Sequence, residues 1–195
     1  REPRWRQEPL ATLGSRLGLF RRTISALETA GTHFDVGASE KVDLVIAETD
    51  GAGATIERLE IFGEDKLADA VVRLYERHAA MLREGPERDR AAATAASFAA
   101  VLSTPNDLER HARIVAPDLE SIDHRPLRTW SLRGGDAFVE HSRALQQVAS
   151  AVAMSVGEVL ALAPGAVLVR RVHAGTDRAG GGAYERPFLA LFATD

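Results

Sequence analysis

Apolar and polar positions follow a short period through the first third of the chain. Residues 8–26 hold two stretches rich in β-formers around Gly14-Ser15, which predicts two strands joined by a turn. A further strand is predicted over 38–48, with the apolar run Val42, Leu44, Val45 and Ile46. Asp50-Gly51 and Gly53 mark a hairpin turn after it. Residues 54–62 alternate: Ile56, Arg58 and Glu60 fall on one side, Thr55, Glu57, Leu59 and Ile61 on the other, as in a half-buried strand. The period then changes. Leu67, Ala70, Val71, Leu74, His78, Met81 and Leu82 recur at three and four, one stripe of an amphipathic helix over 64–84. Glu64 and Asp65 at its start, and Arg77 and Arg83 near its end, suit the helix dipole. Gly85-Pro86 is expected to stop it.

A second block of the same kind follows. Residues 89–103 are Ala-rich and helical, and Thr104-Pro105 reads as an N-cap with proline at the first helical position of a short helix reaching about Ala116. After Pro117-Asp118 a strand is predicted over 119–127. Gly134-Gly135-Asp136 opens a helix over 136–150, with Phe138, Ala144, Leu145 and Val148 on its apolar side. Strands are predicted at 152–162, 166–174 and 183–193, turned by Pro164-Gly165 and by Gly180-Gly181-Gly182.

The two blocks resemble one another. LFRRTISA (19–26) matches LVRRVHAG (168–175), each after a short turn. EKVDLVIAETD (40–50) matches ERPFLALFATD (185–195), both ending in Thr-Asp. The first copy continues into strand 54–62 and the stripe helix, whereas the second stops before an equivalent strand. The expected organisation is therefore 1–85 as the C-terminal part of one α+β unit and 86–195 as a second, nearly complete unit lacking its last strand. That pattern reads as an excerpt from a longer array. A unit without its last strand needs some other cover for an open sheet edge.

Composition narrows the classes. With 45% apolar and 27% charged residues the chain can build a core. A net charge of −4 argues against nucleic acid as a partner, and the Arg-rich start (Arg1, Arg4, Arg6) is only a local exception. The absence of cysteine excludes disulfides and thiolate metal sites and fits a cytoplasmic setting. No run of about 18 apolar residues predicts a membrane span, and residues 1–9 carry no signal-peptide core. The mixed charge on the polar face of helix 64–84 favours packing on a sheet over lying on a membrane. Six scattered histidines without HxH or HxxxH spacing give no metal site. Gly51-Ala52-Gly53 lacks the third glycine of a dinucleotide loop, and no Gly-x-Ser-x-Gly elbow occurs. No cofactor is expected.

Helix–helix–strand–helix followed by a curved antiparallel sheet resembles the nuclear transport factor 2-like superfamily, with its SnoaL-like and ketosteroid isomerase-like branches. The segments DHRPL (123–127), RALQQV (143–148) and GTDRAGGGAYERPFLALF (175–192) resemble tandem units of large actinobacterial regulatory or ATPase-type proteins. The resemblance implies an α+β fold in which a curved sheet forms a cone closed by helices. It also implies a cavity for a small apolar or amphipathic molecule, and units that serve as ligand-binding, assembly or dimerisation modules. A non-catalytic module of a larger intracellular protein is the leading expectation. The alternative is a SnoaL-like isomerase or cyclase acting on a polyketide- or steroid-like ketone. By that resemblance Asp123 is the acid/base, since a carboxylate in an apolar cone can have a raised pKa. The chain lacks the Tyr-plus-protonated-Asp oxyanion pair of such an isomerase.

The other candidates come from the residues themselves. Alternation puts Asp123 and Arg125 on the face opposite His124, and an Asp beside an Arg at a strand end is also an ordinary structural ion pair. Trp130 can stack on a ligand or seal a helix against the sheet. His141, among Glu140, Ser142 and Arg143, is expected to face solvent rather than the cavity. In Arg21-Arg22 and in Arg170-Arg171 one arginine of each pair must face each side of its sheet. An inward arginine can bind a ligand carboxylate, but cross-strand pairing with Glu40 or Glu185 is the default reading.

Overall fold

The computed structural model describes residues 4–26, 29, 30, 35, 36, 38–53, 55–128 and 130–194, with only the backbone of 29, 30, 35 and 36. Arg1, Ala54 and Asp195, used in the sequence reading, lie outside these residues.

The chain is α+β, with curved antiparallel sheets, not closed, and four α-helices among the described residues. The first 63 residues supply β1 (Arg4–Leu13), β2 (Leu17–Ala26), the short β3 (Thr29–Ala30) and β4 (Asp35–Val36), β5 (Ser39–Thr49) and β6 (Ile56–Gly63). Four of them form a sheet in the order β1-β2-β5-β6, all antiparallel, and β3 pairs with β4. The turn between β1 and β2 is tight because Gly14 takes a positive φ of 66°, which residues with a Cβ adopt only with strain.

A 3₁₀ turn (Glu64–Lys66) leads into α1 (Leu67–Met81). The predicted stripe is the buried face of this helix: Leu67, Ala70, Val71 and Leu74 all sink into the core. They meet Leu13, Leu17, Leu19, Leu44 and Ile46 from one face of the four-stranded sheet. Two arginines pin the helix to that face. Arg73 forks onto Glu60 at 2.7 and 3.1 Å, and Arg77 donates to Glu48 at 2.7 Å.

α1 ends at Met81, before the expected stop. Gly85-Pro86 instead opens α2 (Pro86–Phe98), with proline in its first turn, where a missing N–H costs nothing. A π-helical turn (Ala99–Ser103) extends it. The cap of the next helix, α3 (Leu108–Ile114), is Asp107, whose Oδ1 accepts from the Arg110 N–H at 2.9 Å. Thr104 does not cap it; its hydroxyl donates back to the Ala100 carbonyl. The strand expected over 119–127 shrinks to β7 (Glu120–Ile122), paired with a short β8 (Ser131–Arg133). α4 (Gly135–Val148) follows. Its expected apolar side is not its buried side: Val139 is buried, while Ala144, Leu145 and Val148 are exposed.

The three last strands, β9 (Ala149–Ala163), β10 (Ala166–Asp177) and β11 (Ala183–Ala193), form a sheet in the order β11-β10-β9. Register shifts in the β9–β10 ladder bend this sheet. Its inner face presents Val159, Val167 and Val169 to the same core that holds α1 and the four-stranded sheet. Tyr75 of α1 ties the halves together. Its hydroxyl lies 2.6 Å from the Ala166 carbonyl and 2.9 Å from that of Ala163, and its ring meets Phe98 edge-on at 4.7 Å. One apolar core thus runs across residue 85.

Candidate functional site

Strand alternation on β10 decides which arginine enters the interior. Val167 and Val169 are fully buried, so Arg171, two residues further on, points to the same inner side and Arg170 to the outer. Arg170 meets Glu158 at 2.9 Å, with both side chains about half exposed. Arg171 is only 6% exposed. Its Nη2 donates to the Val101 carbonyl at 3.0 Å in the π-helical turn. Its guanidinium lies 5.5 Å from the centre of the Phe192 ring. Its Nε is buried and has no hydrogen-bond partner among the described residues. Burial alone pushes its pKa down to about 10, and no carboxylate among the described residues offsets that cost.

The reason lies in the ladder. Arg171 stands opposite Phe188 on β11 and Val156 on β9, so neither neighbouring strand supplies an acid. Glu185, the acid expected to pair here, stands opposite Ala174. On β2 the expected acid, Glu40, is likewise not the partner. Arg21 pairs with Glu8 at 3.3 Å and Arg22 with Asp43 at 2.8 Å.

More cationic and aromatic groups follow Arg171 along the inner face. His173 lies two residues on, opposite Arg186 and Met154. Its ring stands 5.4 Å from that of Tyr184, and the Arg186 guanidinium lies 4.8 Å over the Tyr184 ring. Burial first, then Arg186, Arg171 and Arg125, push the His173 pKa down. On the helical side, His111 of α3 is buried with its Nε2 3.0 Å from the Ala100 carbonyl. Burial lowers its pKa most; the hydrogen bond to the Ala100 carbonyl opposes that, and Arg171 adds to the lowering.

The predicted acid/base sits elsewhere in this region. Asp123 is buried just after β7, and both its oxygens accept from Arg125, Oδ1 from Nε at 2.7 Å and Oδ2 from Nη2 at 3.1 Å. The Arg125 main-chain N–H also donates to Oδ1 at 3.0 Å. This fork raises the Arg125 pKa. Asp123 and Arg125 do share a side and His124 is exposed, but in a turn rather than a strand. Trp130 is half-buried and its ring lies 5.1 Å from that of His141. The solvent-facing position expected for His141 is thus corrected: packing against Trp130 half-buries it, and its Nε2 is sealed from water without a partner among the described residues.

Hollows lie elsewhere among the described residues. One of about 140 Å³ lies where β1 and β2 approach α1 and β9, lined by Glu8, Arg21, Leu67, Glu158 and Val159 among others. Another, about 390 Å³, is a groove between α1 and α2 lined mainly by alanines such as Ala79, Ala92, Ala95 and Ala99. Neither takes in Asp123, Trp130 or Arg171.

Sequence reasoning missed His111, His173, Tyr184 and Arg186. A signal existed for two of them. His173 shares the two-residue period of Val169 and Arg171, and His111 falls three residues after Leu108 on the stripe of a short helix.

The outer faces of both sheets carry exposed aliphatic side chains. On β11 Leu189 and Leu191 are 56% and 68% exposed, and on β6 Leu59 and Ile61 are 53% and 55% exposed. The ladder sets Ile61 beside Val45 and Val45 beside Phe20. Among the described residues no helix is long and apolar enough to cross a membrane. Compared with known proteins, the chain matches no family model and no curated protein.

Proposed function

We propose that the chain is a non-catalytic assembly module built from units of the nuclear transport factor 2-like kind, serving a larger cytoplasmic protein. Its sheets pack through their outer faces on a second copy or a neighbouring unit. The observation that carries this reading is the pair of aliphatic rows, Leu59 with Ile61 and Leu189 with Leu191, each more than half exposed on a regular sheet. Scattered single leucines need no explanation, but aligned rows on a sheet face are what an interaction surface presents. The likeness of 19–26 to 168–175 supports reading the two sheets as related units in an array. The isomerase reading finds less support, because Arg125 occupies both oxygens of the Asp123 carboxylate. A base held in that fork is a poor proton acceptor.

Light scattering on the chain from about 1 to 100 µM, the range in which modest interfaces dissociate, tests the proposal. The expected result is a mass above the monomer at the high end, reduced to the monomer by the double substitution Leu189→Glu, Leu191→Glu. A strict monomer at every concentration would count against self-assembly.

A further inference from the structure

We infer that the inner face of the three-stranded sheet, at Arg171, is a binding site for a small carboxylic acid with an apolar body. Arg171 is over nine-tenths buried, yet its described polar partner is a single main-chain carbonyl and its Nε has none. A buried cation is ordinarily paired. Three arginines on the equivalent strands, Arg21, Arg22 and Arg170, each have an acid at 3.3 Å or less. Of the four, Arg171 alone lacks one among the described residues.

The geometry fits one headgroup. Nε–H and an N–H of Nη2 lie on one edge of a guanidinium, and that edge takes a planar carboxylate as two parallel hydrogen bonds. Nη2 has two N–H groups, and the bond to Val101 takes one of them. The surroundings suit an anion. Arg186, Arg171 and Arg125 all lie close enough to His173 to act on its charge. The acids near this face are engaged or distant: Asp123 is forked by Arg125, and Asp107 caps α3.

The body of the ligand follows from the walls. Phe188 and Val156 flank Arg171 across the ladder, Phe192 lies against it, and Tyr184 stands further along the face beneath the exposed Arg186. An inorganic anion leaves these surfaces wet, whereas an aliphatic or aromatic acid covers them and buries apolar area. The site stands independently of the outer sheet faces proposed for assembly.

Calorimetric titration of the full chain in low-chloride buffer tests this with octanoate, 1-octanol and inorganic phosphate as probes. Octanoate is expected to bind, with octanol and phosphate each at least about tenfold weaker, the loss of one charge-assisted pair or of the apolar body. Arg171→Gln is expected to weaken octanoate by about tenfold or more, while Arg170→Gln leaves it unchanged. Equal binding of octanol, equal binding of phosphate, or an Arg171→Gln protein that keeps its octanoate affinity would each overturn the inference. Should Arg171→Gln not fold, arginine-labelled NMR of the unmodified chain decides. One protected Nε–H resonance should move with octanoate and stay with octanol. If no Nε–H resonance responds, the site does not exist.

Discussion

On β2 the first arginine of the pair, Arg21, turns toward the helices and meets Glu8, while Arg22 turns outward to Asp43. On β10 the sides are exchanged: Arg170 turns outward to Glu158, and Arg171 turns inward to a backbone carbonyl and a phenyl ring. The aligned dipeptides therefore point opposite ways. Leu19 belongs to the buried face of β2, whereas on β10 the buried residues are Val167 and Val169, not Leu168. A one-residue change in where a strand meets the core inverts every side chain on it. Sequence likeness thus preserves the strand while exchanging the environments of its charges. The exchange leaves an arginine paired with a buried acid in one sheet and a buried arginine opposite Phe188 and Val156 in the other.

The largest test of that contrast removes Arg22 and, separately, Arg171. Arg22→Ala strands Asp43, which is 3% exposed, with Lys41 as its other cationic neighbour. Breaking a buried pair from one side costs about 3–5 kcal/mol, and Lys41 holds the expected loss to the lower end of that range. Arg171→Met removes a buried charge with no described acid and keeps the volume apolar. Its expected effect runs from neutral to stabilising by about 1 kcal/mol. Urea unfolding midpoints of the two variants measure the difference. Equal destabilisation would mean that Arg171 is held by more than Val101 and Phe192.

Acid separates the two regions next. In the four-stranded sheet, hydrogen bonds from Arg73 hold the Glu60 pKa down to about 2 against an ordinary 4.5, and Arg22 lowers that of Asp43. Such carboxylates contribute stability that is complete above about pH 4.5 and is lost as the pH falls towards 2. Around the three-stranded sheet, burial and neighbouring arginines hold His111 and His173 below their ordinary 6.5. The unfolded chain then binds protons first, so this contribution is complete above about pH 6.5 and begins to fall below it. We expect the unfolding free energy to fall between pH 7.5 and 5.5, and to fall again below pH 4.5. His111→Gln should shrink the first step to the His173 share and leave the second unchanged. A curve level from pH 7.5 to 5.5 would show that neither imidazole is held neutral.

These contrasts mark how far the sequence could be read. Strands 8–26, 38–48 and 54–62 and the stripe of α1 were legible, because alternation and the three-four period report burial directly. The segment 104–135 was not. There Asp107, not Thr104, caps α3, and the strand after Leu119 breaks at a turn where Asp123 closes on Arg125. Local side-chain hydrogen bonds compete with extended pairing in such stretches, and their outcome depends on tertiary neighbours. At the candidate site, alternation established that one arginine of Arg170-Arg171 must face inward. It did not establish which one, because that depends on the offset of β10 against the core. The lack of an acid opposite Arg171 depends in turn on the pairing with β9 and β11, which no local pattern encodes.

The smallest expected effect concerns the outward pair of β10. Arg170 and Glu158 have side chains 49% and 52% exposed, so solvent and salt screen their attraction. Arg170→Gln should change the unfolding free energy by less than about 0.5 kcal/mol, with little dependence on salt. The measurement is sharper than its size suggests, because Arg170 stands opposite Leu189 on the outer face proposed for assembly. In the isolated monomer the pair is wet and nearly neutral in effect. In an assembly that covers this face, the same pair loses its water, and removing one partner leaves Glu158 buried and alone. A loss that is negligible at low protein concentration and grows with it would therefore place Arg170 inside an interface. A loss that stays small at all concentrations would leave the outer face of β9–β11 exposed to water and confine assembly to the face bearing Leu59 and Ile61.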